Sequence, residues 1–510
     1  VVERRPVVGG KSRSMGVPGT AVGGRRPLPG EHGFRFFPGF YRHLPDTLSR
    51  IPFPAAADAR TRRVIENLVP CSEFAFAVPG EAPIVMPTAV TRSTRSWKQL
   101  LESLVRWKVS ASNLAYFAGQ MGRLIDLPID ARRRAFDSVG WTEFTDARAR
   151  GREDPEYVRY FVDGVTRSLV ACRADHMSAC TAGTVFARLA RSMVGGDERA
   201  DQVLDGPTSE RWLHPWLDYL RHLGVELLPD TEVGAFVVRD ERVAGVTVLA
   251  PDGVRTLVAD WYVAALPLDR MQRLVSPLAA IDPRLGGITR LRTEWMSGVQ
   301  IYLREPLGLV DGHVVYAQSP WALTSVEQQH HWSVPLAGYG DGTVTGILSV
   351  DVSNWDEPGV LHGRPARECT RDEVVDEVLA QLRMHLPEQH RARCAPPNVV
   401  ATFVDPALSW CGGAVENDEP LLVNTIGAWQ LRPEPAGAIE NLVLAGDYVR
   451  TSTDLACMEG ANEAARRAAN AILERSGRTD RVTLFRLREL FDDEIVLPGA
   501  GGEEVRVLVQ

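Results

Sequence analysis

Asn441-Leu442-Val443-Leu444-Ala445-Gly446-Asp447-Tyr448-Val449-Arg450, followed by Leu455-Ala456-Cys457-Met458-Glu459-Gly460-Ala461, decides how this chain of 510 residues folds. The apolar run Leu442 to Ala445 is too short for a helix and reads as a strand buried on both faces. Gly446-Asp447 closes it, and an alanine-rich helix is predicted from about Leu455 to Leu473. Gly446 permits close backbone approach to a phosphate, and Asp447 can accept from a polyol hydroxyl. The helix start around Met458 and Gly460 offers unpaired N–H groups and partial positive charge to an electron-rich group.

Two further segments read as parts of the same dinucleotide site. The first is Val1-Val2-Glu3-Arg4-Arg5-Pro6-Val7-Val8-Gly9-Gly10-Lys11-Ser12-Arg13-Ser14. A carboxylate at the end of a second parallel strand, Glu3 here, holds the vicinal hydroxyls of an adenosine ribose. Gly9 and Gly10, with Lys11 and Arg13 beside them, suit a pyrophosphate. The second is Thr231-Glu232-Val233, which opens a β-rich meander ending in the strand Trp261 to Ala265. Val233 is expected to meet the adenine through its backbone.

The rest of the chain narrows the function classes. Its 45% hydrophobic content and length imply a globular protein of several units, and a net charge of −8 gives no support to nucleic-acid binding. Seven cysteines without a CxxC pair argue against a disulfide framework or a zinc ribbon and point to a reducing, cytoplasmic compartment. No apolar run reaches membrane-spanning length, so any membrane contact is expected to be peripheral. Of 57 basic side chains only Lys11, Lys98 and Lys108 are lysine. Glu327, His330 and His331 suggest a metal by type, but neighbouring residues of a strand point to opposite faces, and no metal is expected. Helices are predicted over about Ser96 to Met121, Val185 to Met193 and Glu210 to Leu223. Another follows the capping box Thr370/Glu373, with a loop-rich zone near Trp410 and a short helix after Leu473.

Taken together, these residues resemble the flavoprotein superfamily of amine oxidases and carotenoid desaturases. Met458-Glu459-Gly460-Ala461 after Gly446-Asp447 is similar to plant and cyanobacterial phytoene desaturases. Gly30-Glu31-His32-Gly33-Phe34-Arg35-Phe36-Phe37-Pro38-Gly39-Phe40-Tyr41 resembles the stretch those enzymes, and the hydroxysqualene dehydroxylases, place beside the flavin ring. There the family often has Gly-x-His-x-Phe, and Arg35 stands at the histidine position in the register that best aligns the next Phe and Gly-x-Tyr. The resemblance implies FAD as cofactor, the Met458 amide at the pyrimidine end of the flavin, and Gly33 and Phe34 beside the ring. Arg35 is the polar candidate near it, a cation for an anionic flavin.

The implied fold class is α/β, a split Rossmann-like FAD-binding domain, truncated at its N-terminus, with an inserted α+β substrate domain. Its expected parts are 1–96, 205–285 and 416–474 for FAD, 97–204 and 286–415 for substrate, and 475–510 as an extension. A G-x-G-x-x-G turn should precede Glu3 by about 20 residues, so the first strand and helix are expected to be missing from this chain.

Amine oxidases of the superfamily commonly hold a water on a central-strand lysine, whereas the stretch Arg290 to Leu303 contains none. The expected reaction is therefore hydride removal from a hydrophobic isoprenoid, by desaturation or reductive dehydroxylation, with little acid–base help. The sequence leaves the electron acceptor open, with a quinone and oxygen as the two candidates. The alternatives are a redox-neutral flavin-dependent isomerase, an amine oxidase and a non-catalytic fragment.

Overall fold

The computed structural model describes residues 1–54, 62–89, 106–164, 166–194, 201–411, 414–487, 493–498 and 504–509. The strands that position the site are β1 (Glu73–Ala77), β2 (Ile84–Pro87), β3 (Asp201–Leu204), β4 (Tyr262–Ala264) and β5 (Ser297–Leu303). They continue as β6 (Gly312–Tyr316), β7 (Thr324–Glu327), β8 (Gly346–Val352), β9 (Val399–Val404) and β10 (Leu442–Leu444). The corresponding helices are α1 (Ala111–Ile125), α2 (Ala179–Val194), α3 (Arg371–His385) and α4 (Met458–Arg475).

A seven-stranded sheet in the order β9-β5-β8-β7-β6-β1-β2 dominates the substrate half. All neighbours are antiparallel except β6 and β1. Side chains alternate along a strand, so the two faces of this sheet differ. Val299, Ile301, Leu348, Val350, Val314 and Tyr316 turn to one side and join Val374, Val378 and Leu382 of α3 in a single core. The capping box predicted for α3 is present: the Glu373 amide donates to the Thr370 hydroxyl at 3.3 Å, and the Thr370 amide donates to the Glu373 carboxylate at 2.8 Å.

The opposite face carries Gly298, Gln300, Ser349, Asp351, Thr324 and His313. Gly298 and Thr324 both pair with Asp351, and Gln300 pairs with Ser349. Buried polar side chains cost free energy unless satisfied, so a buried strand that alternates valine with Ser349 and Asp351 fits a site better than a core. Phe74 and Phe76 extend this face toward the aromatic core beneath α1 and α2, which contains Phe117, Trp141, Tyr157, Tyr160 and Phe161.

The dinucleotide half is made of parallel pairs. β4 runs parallel to β10, Tyr262 to Ala264 against Leu442 to Leu444, and Val2 makes a parallel bridge to Leu228. The meander is a three-stranded antiparallel sheet, Glu232–Arg239, Arg242–Ala250 and Gly253–Leu257.

Several local expectations change. The zone near Trp410 is a hairpin, Leu408–Cys411 with Ala414–Asn417, whose outward residues hide its strand pattern. The helix expected from Glu210 opens with a π-turn over Ser209–Leu213 before His214–His222. After α4 residues 478–487 have no regular structure where a short helix was expected to follow, and the acidic, Gly-rich end forms a hairpin, Asp493–Pro498 with Glu504–Val509. The Ser96 to Val105 part of the predicted early helix lies outside the described residues. All seven cysteines are free.

Candidate functional site

The parallel strands end at a common edge, and three of the predicted glycines lie there with positive φ. Gly9 has φ 119°, and a Cβ on it would stand 2.5 Å from a methyl of Leu213, so only glycine fits. Gly10 has φ 53° and starts the single turn Gly10–Ser12 that contains Lys11. Gly446, with φ 115°, ends β10 against the Leu266 carbonyl. Glu3 directly follows the bridge from Val2, and its carboxylate accepts from the Arg5 amide at 2.9 Å. Val233 pairs with Val248 in the first meander strand.

Four arginines converge at this edge on two successive carboxylates. Arg4 and Arg5 approach Asp418 at 2.5 and 3.0 Å, Arg270 also pairs with it, and Arg5 and Arg13 each reach Glu419 at 2.8 Å. Burial opposes ionisation of both acids, yet the arginines hold them below the usual carboxylate range. Asp269 also pairs with Arg270, at 3.1 Å, and Glu232 and Asp405 face Arg4 and Arg13, so the arginines are matched by neighbouring acids.

α4 begins at Met458, half-buried against the core of Phe37, Phe40 and Tyr41. The Gly460 amide donates to Cys457 Sγ at 3.4 Å, and a Cβ on Gly460 would lie 2.6 Å from the Leu455 carbonyl. The Asp447 carbonyl accepts from Arg432 at 2.6 Å. Glu459 is fully buried and accepts from the amides of Arg42, His43 and Leu44 and from His43 Nδ1, all within 2.9 Å. That carboxylate caps the short helix His43–Leu48 and is structural.

Residues 30 to 36 bridge the cofactor edge and the polar sheet face. Arg35 turns one way: its guanidinium binds the Lys11 carbonyl and, at 3.2 Å, the Phe34 carbonyl. Phe34 and Phe36 turn the other way and set their edges against the His313 ring, with centroids 4.9 and 4.4 Å apart. Gly33 is so close to β8 that a Cβ would fall 2.4 Å from Asp351 Oδ1. His32 pairs with Asp405, with Glu419 3.9 Å beyond.

His32, Asp405 and Glu419 bring ligand-type atoms within 4.8 Å of one another. His32 and Arg13 already partner these acids, so the group reads as an ion-pair chain. Glu327, His330 and His331 do not converge either: His330 binds Glu327 at 3.2 Å, whereas His331 turns to Asp311 at 3.5 Å. Glu327 ends β7, whereas His330 closes the 3-10 turn Gln328–His330 and His331 follows it, so the two histidines are not in the strand expected from sequence.

Three residues that sequence reasoning passed over are central here. His313 Nδ1 lies 2.9 Å from Asp201 Oδ2. Asp351, 7% exposed, is pushed up to about 7 by burial, which Arg35, His313 and the Phe34 amide only partly offset and Asp405 reinforces. The signal was available in Ser349-Val350-Asp351-Val352, where polar residues alternate with valine in a strand too apolar to be an edge.

Two cavities flank this region. One, of about 540 Å³, is lined by Phe37, Phe40, Tyr41, Ile65, Leu68 and Gln202. The other, of about 550 Å³, lies between Phe76, Val158, Asp163, Arg167, Val315 and Tyr316.

Residues 1–473 match the family model described as flavin containing amine oxidoreductase. The chain belongs to that family. It is therefore a flavin-dependent oxidoreductase with FAD as cofactor, and the left-handed glycines suit the pyrophosphate and Glu3 the ribose of a dinucleotide. Among curated relatives it is 24% identical over 359 residues to the 15-cis-phytoene desaturase of Synechococcus elongatus, covering 68% of this chain and 67% of that one. It is also 24% identical over 280 residues to the chloroplastic/chromoplastic 15-cis-phytoene desaturase of Glycine max, 54% of this chain and 43% of that one.

Among solved structures, an oxidoreductase from Methanosarcina mazei matches with TM-score 0.56 at 13% identity, covering 90% and 91% of the two chains. Putrescine oxidase bound to putrescine matches with TM-score 0.56 at 12% identity, covering 93% and 92%. At such identities the likeness is one of fold. It agrees with an α/β flavoprotein and an inserted substrate half.

Proposed function

We propose that this protein transfers hydride between a hydrophobic isoprenoid and its flavin, either taking it in a desaturation and passing the electrons to a quinone or to oxygen, or giving it in a reductive dehydroxylation. The observation that carries the reading is the site-facing side of β5, which presents Gly298 and Gln300 and no lysine. Among the described residues of β5 there is no lysine to hold a water, which speaks against the amine-oxidase alternative. The Phe37, Phe40 and Tyr41 cavity supplies an apolar wall for a polyene chain, and kinship with two phytoene desaturases supports the substrate class.

Glu3 would hold the adenosine ribose, Val233 the adenine through its backbone, and Gly9, Gly10, Lys11 and Arg13 the pyrophosphate. Asp447 would take the ribityl region. Gly446 gives the backbone close approach there, and the Met458 and Gly460 turn faces the pyrimidine end. When bound, the flavin supplies a two-electron acceptor for hydride. Gly33 and Phe34 would border the ring, while Arg35 fixes the Lys11 turn and adds positive charge beside it. The protein contributes orientation and exclusion of water.

Among the described residues no helix is long and apolar enough to cross a membrane. Peripheral contact is proposed as the route by which such a substrate enters.

The test is an anaerobic absorbance spectrum. Flavin bands that bleach on adding 15-cis-phytoene in detergent micelles, and not on adding putrescine, are the expected result. Bleaching by the amine alone would refute the substrate class, and a colourless protein would refute flavin retention by this chain.

A further inference from the structure

Several buried atoms on the polar face of the sheet and on the segment beside it lack a hydrogen-bond partner, Ser349 Oγ among them, and three concern the segment Gly33 to Phe36. His313 Nε2, Asp351 Oδ1 and Arg35 Nε are each buried without a hydrogen-bond partner. All three border the Gly33 to Phe36 segment, which the Arg35 bond to Lys11 ties to the cofactor edge. An unsatisfied buried donor or acceptor is costly, so native folds rarely keep three together without a ligand or a chemical task.

The three are not equivalent. His313 stands on β6 with Nδ1 directed at Asp201 on β3, a carboxylate that fixes the ring so that Nδ1 donates and Nε2 keeps its lone pair. Two aromatic edges hold the ring from the opposite side. A base oriented by a carboxylate, with its second nitrogen free, is the arrangement that general-base catalysis needs. The side chain keeps 12% of its surface accessible, while Nε2 itself is buried, so the carbon that gives up the proton must come in against it.

We propose that His313 is the proton acceptor of the oxidation, with Asp201 as its positioning residue. The proposal rests on the hydride-removal reading above. When a saturated carbon pair becomes a double bond, one carbon loses hydride with its bonding electrons, and oxidised flavin takes them and is reduced by two electrons. The adjacent carbon then loses a proton, and the electrons of that C–H bond become the π bond. The proton goes to His313 Nε2, giving an imidazolium beside the Asp201 carboxylate. A carbon next to an electron-deficient centre is acidic, so an imidazole is a strong enough base. The little acid–base help expected from sequence is replaced by one defined base.

The charged groups facing this centre are Asp201 on β3, Asp351 on β8, Arg35 on the bridging segment, His331 after β7, and Asp405 behind Asp351.

The test uses the flavin-loaded protein in two measurements. In anaerobic stopped flow with 15-cis-phytoene, His313→Gln is expected to slow flavin reduction about 100-fold and to flatten its pH dependence, with flavin content unchanged. Asp201→Asn is expected to slow it less. Reduction of the His313→Gln flavin at the wild-type rate and pH profile overturns the proposal.

The second measurement needs no substrate: long-range ¹H–¹⁵N spectra of the histidine rings at pH 7.5. The proton of His313 is expected on Nδ1, with Asp201→Asn changing the tautomer, and a proton resident on Nε2 overturns the proposal. Failure of phytoene to bleach the wild-type flavin counts against the substrate reading. The ring spectra then decide the dyad alone.

Discussion

Asp351 is a residue at which stability and chemistry pull apart. Its folded value of about 7 lies above the unfolded value near 4, so the native state holds the extra proton between these limits. Stability therefore falls as pH rises through that window, and the full cost is present above pH 7. Asp351→Asn removes the cost. Its denaturant midpoint at pH 8.5 should exceed wild type by an amount equal to roughly 2–4 kcal/mol, and the gap should close near pH 4. A gap independent of pH would mean that Asp351 is not the titrating group. Next to it, Gly33→Ala forces a methyl onto Asp351 Oδ1, 2.4 Å from the ideal Cβ position, and should destabilise by about 1–3 kcal/mol in thermal unfolding.

The need for glycine was legible in local sequence: Gly9, Gly10 and Gly446 all take conformations that a residue with a side chain resists. At Asp201, His313 and Asp351 local sequence was not enough. They come from three strands far apart in sequence, and only the pairing of β6, β7 and β8 brings two of them onto one face.

At the scale of elements, α3 and the sheet form one unit because Val299 and Ile301 of β5, Val314 of β6 and Leu348 and Val350 of β8 all face it. Leu382 is fully buried at the centre of that contact, and Leu382→Ala should cost about 2–5 kcal/mol in urea unfolding. The position of α3 was legible from Thr370 and Glu373, since a capping box is a local device. The strand β10, the alanine-rich α4 and the meander were legible for the same reason: period and turn chemistry lie within one short window. The Trp410 hairpin was not. Its strands are short and carry mixed burial, so neither face shows a clean alternation.

At the scale of the molecule, Asp418 and Glu419 brace the two halves. They leave the hairpin Leu408–Asn417 of the substrate half and enter the arginines of the dinucleotide half. Both are held below their ordinary values, so their contribution exists above about pH 4 and disappears as the pH falls through their folded values. Asp418 is 40% exposed, which screens its share, whereas Glu419 is mostly buried. The double variant Asp418→Asn/Glu419→Gln should therefore lower stability at pH 7 by about 1–3 kcal/mol, with most of the loss traceable to Glu419. Differential scanning calorimetry of the two single variants would separate the shares, and equal losses would contradict the burial argument.

The turn Gly10–Ser12 has one more consequence. Lys11 sits within it, while Lys108 is far away on the helical side, paired with Glu81. In a protein whose cations are almost all guanidinium groups, an acylating reagent finds very few amines, and one of them marks the cofactor turn. Protection of Lys11 from acetylation, read by mass spectrometry against Lys108 as the internal control, would report loading of this edge in a crude extract, with no substrate in hand and no colour to follow.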